Sequence, residues 1–118
     1  MQRFHLAGAV AIAALLAFHA PARAQDAPSF RLTLKDHRFE PSELQVPAGV
    51  RFMLVVKNED ATPAEFESKE LGAEKIISAG REATIRVGPL TAGRYAFEDE
   101  FNAQAKGTLV AVQKTAGE

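Results

Sequence analysis

The chain has no cysteine and no tryptophan. The first absence excludes disulfides, thiolate metal ligands, iron–sulfur clusters and a cysteine nucleophile. Histidine is scarce as well: His5 and His19 lie near the start, and only His37 follows them. Nucleophilic catalysis of the Ser–His–Asp kind needs an oriented histidine, and no recognisable Ser or Asp arrangement surrounds His37. There is no excess of positive charge, with 14 Lys and Arg against 15 Asp and Glu. An electrostatic footprint for nucleic acid is therefore missing. Nor is there an apolar run of the roughly 20 residues needed to cross hydrocarbon. The run Leu6–Phe18 stops at 13 residues.

What is present begins with that run. Arg3 precedes it, and Pro21 and the small-residue pattern Ala22-Arg23-Ala24 follow it. A basic start, a short apolar stretch and an A-x-A site together describe a secretory signal. A membrane anchor is the competing reading, but the run is too short for one. The expected organisation is a cleaved signal peptide over 1–24, a flexible leader over 25–29, one folded domain over 30–113 and a flexible tail over 114–118. Cleavage leaves 118 − 24 = 94 residues and removes Arg3 and Arg23, so the charge becomes 12 − 15 = −3. A domain of that size buries roughly 60–65% of its unfolded surface and needs no covalent staples.

Downstream of Ser29 the hydrophobic period is two. Phe30, Leu32 and Leu34 alternate with Arg31, Thr33 and Lys35, as a strand with one wet face requires. Pro41 and Pro47-Ala48-Gly49 bracket a short strand bearing Leu44 and Val46. Val50, Phe52, Leu54 and Val56 form the next inward set, with Met53 and Val55 on the opposite face. Glu65–Ser78 is less regular. Ala83, Ile85 and Val87 alternate up to Pro89, and Gly107–Val112 makes a last strand. Leu90-x-x-Gly93-x-Tyr95 has the spacing of a Greek-key corner, where a tyrosine hydroxyl folds back to upstream backbone. About seven to eight short strands with frequent turns and no convincing helix predict an all-β, antiparallel Greek-key β-sandwich.

The order of several short motifs resembles a known family. Phe39-x-Pro41-x-x-Leu44-x-Val46-x-Ala48-Gly49, Asn58-x-Asp60 and Gly93-x-Tyr95-x-Phe97 together resemble periplasmic cupredoxins, from about Phe30 to Val112. The resemblance implies a periplasmic location and a copper site built from His, Cys, His and Met. In the pattern Y-x-F-x-C-x-x-H-x-x-M-x-G, however, Asp99 stands at the Cys position, Asn102 at the His position and Ala105 at the Met position. The first His falls at Ala64 or Glu65. A blue-copper centre requires a thiolate, so none is expected here. Pro63-Ala64-Glu65-Phe66-Glu67-Ser68-Lys69-Glu70-Leu71 and Glu100-Phe101 further resemble the EfeO-like cupredoxin domains of bacterial iron-uptake systems. That likeness implies iron or copper as the ion, and a periplasmic iron-binding protein and an iron permease as partners. Members of that subgroup often carry His after the Glu-Phe pair, where this chain has Asn102.

The residues themselves offer an oxygen-rich site. On an extended strand Tyr95, Phe97 and Asp99 point one way and Glu98 and Glu100 the other, while Glu65 and Glu67 flank Phe66. If the two segments meet, Glu65, Glu67, Asp99 and Glu100 are candidate ligands for a hard or borderline cation. His37, beside Asp36, is the one candidate nitrogen ligand. The competing reading makes Glu98-Asp99-Glu100 a solvated strand end, and the six acids between Glu59 and Glu74 a solvated face or a docking patch for a basic partner. No catalytic residue is assigned. A metal-free interaction domain on the same scaffold is the alternative function.

Overall fold

The computed structural model describes residues 27–114 and five isolated positions before them, Gln2, Arg3, Gly8, Ala13 and Ala14. The signal-peptide reading, the first two residues of the leader and the last four residues thus lie outside the described residues. Among the described residues no helix is long and apolar enough to cross a membrane.

Among the described residues nine strands follow one another: β1 (Ser29–Lys35), β2 (Arg38–Glu40), β3 (Glu43–Pro47), β4 (Phe52–Asn58), β5 (Ala64–Ser68), β6 (Ala73–Ile77), β7 (Glu82–Val87), β8 (Gly93–Asp99) and β9 (Asn102–Val112). They form a four-stranded sheet in the order β2-β1-β4-β7 and a five-stranded sheet in the order β3-β9-β8-β5-β6. The all-β sandwich expected from the period-two pattern is present. Its sheets are mixed rather than antiparallel, because β1 pairs with β4 and β3 with β9 in parallel. Alternation reveals that a strand exists and which side is wet. It carries no information on the direction of the partner, which depends on where the chain crosses between sheets.

The alternating sets meet inside. Leu32, Leu34, Phe52, Leu54 and Val56 from one sheet pack against Val46, Phe66, Phe97 and Leu109 from the other, all under 5% exposed. Phe39, Phe66 and Phe97 form one aromatic group, with Phe39 edge-on to Phe97 at 5.0 Å and Phe66 stacked on Phe97 at 5.3 Å. Truncating any one of these rings costs about 3–5 kcal/mol. Phe97 also covers Gly107, its partner on β9, where a Cβ would stand 2.3 Å from the ring. The Tyr95 hydroxyl donates to the carbonyl of Thr91 at 2.8 Å, which closes the expected corner.

Two local expectations need correction. Glu65–Ser78 is not irregular but an antiparallel hairpin of β5 and β6. Its inward set is Ala64, Phe66 and Ser68, in which one large apolar residue between two small ones hides the alternation. The last strand begins at Asn102 rather than Gly107, since its polar first half pairs with β8 past a bulge at Glu98 and Asp99.

Candidate functional site

The β5–β8 register decides what the acidic residues can do. Phe66 lies opposite Asp99 and Glu67 opposite Glu98, while the Glu100 N–H donates to the Glu65 carbonyl at 2.8 Å. On the other side of β5, Glu65 faces Ile76 and Glu67 faces Glu74. Side chains alternate between faces, so the outer face of this sheet carries two rows across three strands. One row is Glu98, Glu67 and Glu74. The other is Glu100, Glu65 and Ile76. Five carboxylates thus occupy six adjoining places, and the sixth, Ile76, is 61% exposed.

Within this grid, one carboxylate oxygen each from Glu65, Glu74 and Glu100 lies within 4.8 Å of the others. Glu65 is buried, and Glu74 and Glu100 are exposed. Crowding of like charges raises proton affinity. The Glu65 carboxyl is pushed up to about 7, first by hydrogen bonding with Glu74, then by burial and by the neighbouring Glu100 charge. Glu67 is raised as well, chiefly by hydrogen bonding with Glu100 and by burial, and Lys69 opposes the shift. A shared proton or a bound cation would relieve the same repulsion. Two oxygens of one coordination sphere can be at most two bond lengths apart, about 4.6–5.2 Å for a calcium-sized ion. The spacing of the three oxygens, within 4.8 Å, falls inside that limit.

Of the five ligand candidates, the structure brings Glu65, Glu67 and Glu100 together and leaves two elsewhere. Asp99 points inward: it is 1% exposed, and its Oδ1 accepts the N–H groups of Glu65 at 2.9 Å and Phe101 at 3.0 Å. His37 sits on the other sheet, in the two-residue β1–β2 turn, with Nδ1 3.5 Å from Asp60. Asp36 and His37 both have positive φ, and the Asp60 carboxylate holds both of their N–H groups. The residue that sequence reasoning missed is Glu74. It had been grouped with the solvated acids, and only pairing across the Gly72 turn would have placed it opposite Glu67.

Two other acids of the Glu59–Glu74 stretch, Asp60 and Glu70, are engaged in architecture. Glu70 accepts the N–H of Ala96 at 2.9 Å, and the Ser68 hydroxyl donates to the Ala96 carbonyl at 2.7 Å. These two side chains continue the β5–β8 ladder beyond the end of β5. Beside the grid, Glu67, Glu98, Lys106, Ala96 and Thr108 are among the residues lining an open groove of about 600 Å³.

The fold can now be set against known proteins. A family described as the cupredoxin-like domain matches residues 8–111, most of the chain. The chain belongs to the cupredoxin-like domain family. An uncharacterized protein of Rickettsia prowazekii is 35% identical over 81 residues, which cover 68% of this chain and 65% of that protein. The chain thus spans somewhat less than two thirds of that relative's length. Among solved structures, it is similar to a copper-binding protein in its apo form, with a TM-score of 0.63 and 17% identity over 71% of this chain and 86% of that one. It is also similar to the metal-binding domain of the Streptococcus pneumoniae Cu(I)-exporting ATPase CopA, with a TM-score of 0.58 and 24% identity over 71% and 84% of the two chains. Auracyanin of Roseiflexus castenholzii gives 0.60 and 15% identity over 74% and 98%. At these identities the likeness to solved structures establishes the fold alone.

The copper centre of blue cupredoxins does not fit this member of the family. The chain has no thiolate to offer. Ala105, at the Met position, is 1% exposed and belongs to the core. The two residues at the position of the first His lie on opposite faces of β5. Ala64 faces the core with Phe66, whereas Glu65 lies on the outward side with Glu67.

Proposed function

We propose that this protein is an exported, periplasmic cupredoxin-fold module that binds a hard or borderline cation through Glu65, Glu74 and Glu100, with Glu67 beside them. The observation that carries the reading is the convergence of three carboxylate oxygens within 4.8 Å of one another. The raised proton affinity of Glu65 supports it, because a site that holds a shared proton tightly exchanges it for a metal ion. Oxygen-rich sites suit hard or borderline cations such as iron, manganese or calcium, with Cu(II) possible if a nitrogen joins. The resemblance of the Pro63–Leu71 and Glu100-Phe101 segments to EfeO-like domains favours iron, or copper, uptake as the setting. A periplasmic iron-binding protein and an iron permease are the expected partners. The role is carriage or relay of the ion rather than catalysis.

The test is calorimetry of the protein at pH 7.5 with Mn(II), Fe(III) held soluble by a weak chelator, and Cu(II). We expect one site and proton release on binding, with affinity falling as pH drops below 7. Glu65→Gln combined with Glu100→Gln is expected to weaken binding at least about tenfold, as loss of charged ligands should. Absence of heat with every ion, or affinity unchanged in the double variant, overturns the reading.

One observation favours the second reading, a metal-free interaction domain. Ile76 and Phe101, 61% and 52% exposed, adjoin the carboxylates in sequence or register. Apolar side chains amid acidic ones are what a basic protein partner would meet. Retention of such a partner by protein stripped of all metal, with no heat in calorimetry, would favour it.

A further inference from the structure

The interior end of the sandwich, where the resemblance would place copper, has been rebuilt around Asp99. Ala64 and Ala105 bring no donor atom to it and are 3% and 1% exposed. Asp99 is almost fully buried, and a single oxygen of its carboxylate takes two backbone donors, Glu65 N–H and Phe101 N–H. Those donors bracket the pair that matters on the other face. Glu65 gives its N–H to Asp99 and its carbonyl to Glu100 N–H at 2.8 Å, and Phe101 directly follows Glu100.

We infer that this position is a metal-free joint, and that Asp99 is the positioning residue that holds Glu65 and Glu100 side by side on the outer face. Like charges in adjacent strands repel, and the pair sits where β8 ends and the turn to β9 begins. The ladder that would ordinarily hold such a pair is short here, since β5 and β8 share only the pairs Phe66–Asp99 and Glu67–Glu98. A bulge at Glu98 and Asp99 interrupts the β8–β9 register at the same point. The carboxylate of Asp99 replaces the missing rungs from below. Its role is that of an acceptor: Oδ1 is committed to two amides, and the side chain is buried on the inner side, away from the outer-face carboxylates. The functional consequence rests on the cation site proposed above, whereas the joint itself does not.

The absence of native cysteine permits a direct test. The pair Glu65→Cys and Glu100→Cys supplies the only two thiols, and their disulfide equilibrium against glutathione reports their effective concentration without any metal. Asp99→Ala is expected to lower that value at least about tenfold, while Asp99→Asn, which keeps an acceptor oxygen, stays within about threefold. An unchanged value in Asp99→Ala overturns the inference, as does an equal fall in both variants. Should Asp99→Ala not fold, hydrogen exchange in the unaltered protein decides: the Glu65 and Phe101 amides should exchange among the slowest, and rapid exchange refutes the joint. In a separate arm, Mn(II) affinity of Asp99→Asn should match that of the unaltered protein within about threefold, whereas a lost carboxylate ligand would cost more. A tenfold loss there would make Asp99 a ligand and sink the positioning role. If the unaltered protein binds none of Mn(II), Fe(III) and Cu(II), the cation site falls, and the thiol pair still judges the joint.

Discussion

Asn58 is the residue whose removal should expose most about how the two sheets are tied. Its side chain is fully buried, at the inward end of β4 after Phe52, Leu54 and Val56. The amide nitrogen donates to the carbonyls of Thr62 at 2.9 Å and Ile77 at 3.0 Å. Its oxygen accepts the N–H of Asp60 at 3.0 Å. Asp60 in turn holds the two amides of the β1–β2 turn. One side chain thus joins β4, the loop to β5, the end of β6 and, through Asp60, the β1–β2 hairpin. Asn58→Ala leaves three backbone groups without partners. The Ile77 carbonyl is buried and loses the most, about 1–3 kcal/mol, while water can reach the other two and halve their cost. The sum is about 2–6 kcal/mol. A domain of this size has about 4–13 kcal/mol in all, so the change is a large fraction of it. Thermal unfolding followed by circular dichroism should shift down by about 10–30 °C. Lys57→Ala, which removes only an exposed bond from Nζ to the Gly80 carbonyl, is the control and should cost less than about 0.5 kcal/mol. A loss in Asn58→Ala no larger than in that control would refute the reasoning.

Two further outcomes are expected. In the folded protein the Glu65 carboxyl titrates at about 7 rather than its ordinary 4.5, so between those values the folded state holds a proton that the unfolded chain has released. The stability this confers is complete below pH 4.5 and is lost as pH rises through about 7, with Glu67 shifted in the same direction. Urea midpoints should therefore fall from pH 5 to pH 8. Glu65→Gln should flatten that slope, and an equally steep slope in the variant would refute the assignment. Gly107→Ala sets a methyl 2.3 Å from the Phe97 ring and 2.8 Å from the Ser42 carbonyl. It should destabilise by about 1–3 kcal/mol, and Phe97→Leu in the same chain should recover part of the loss. Unchanged urea unfolding in the single variant would show that the ring yields freely.

The sandwich was legible because its evidence is local. Phe30-x-Leu32-x-Leu34 and Phe52-x-Leu54-x-Val56 alternate between faces within single strands, and the Leu90-x-x-Gly93-x-Tyr95 corner is closed by residues four apart. Glu65–Ser78 was misread because its inward residues are mostly small, and because β6 is an edge strand whose Glu74, Lys75 and Ile76 are all exposed. The parallel pairings of β1 with β4 and β3 with β9 join segments far apart in the chain, which no local pattern encodes.

The site divides in the same way. Absence of cysteine settled from composition alone that no blue-copper centre forms, because a bond to sulfur needs a sulfur atom. Alternation also put Asp99 and Glu98 on opposite faces. Which carboxylates become neighbours was a matter of register across β6, β5 and β8, and a slip of one residue would have sent Glu65 and Glu67 inward and Phe66 into water. Only the packed sheets could choose that register, since burial of Phe66 between Phe39 and Phe97 makes every other one costly. The same choice brought Glu74 to Glu65 and Glu100, and turned Asp99 from an apparent ligand into the acceptor beneath them.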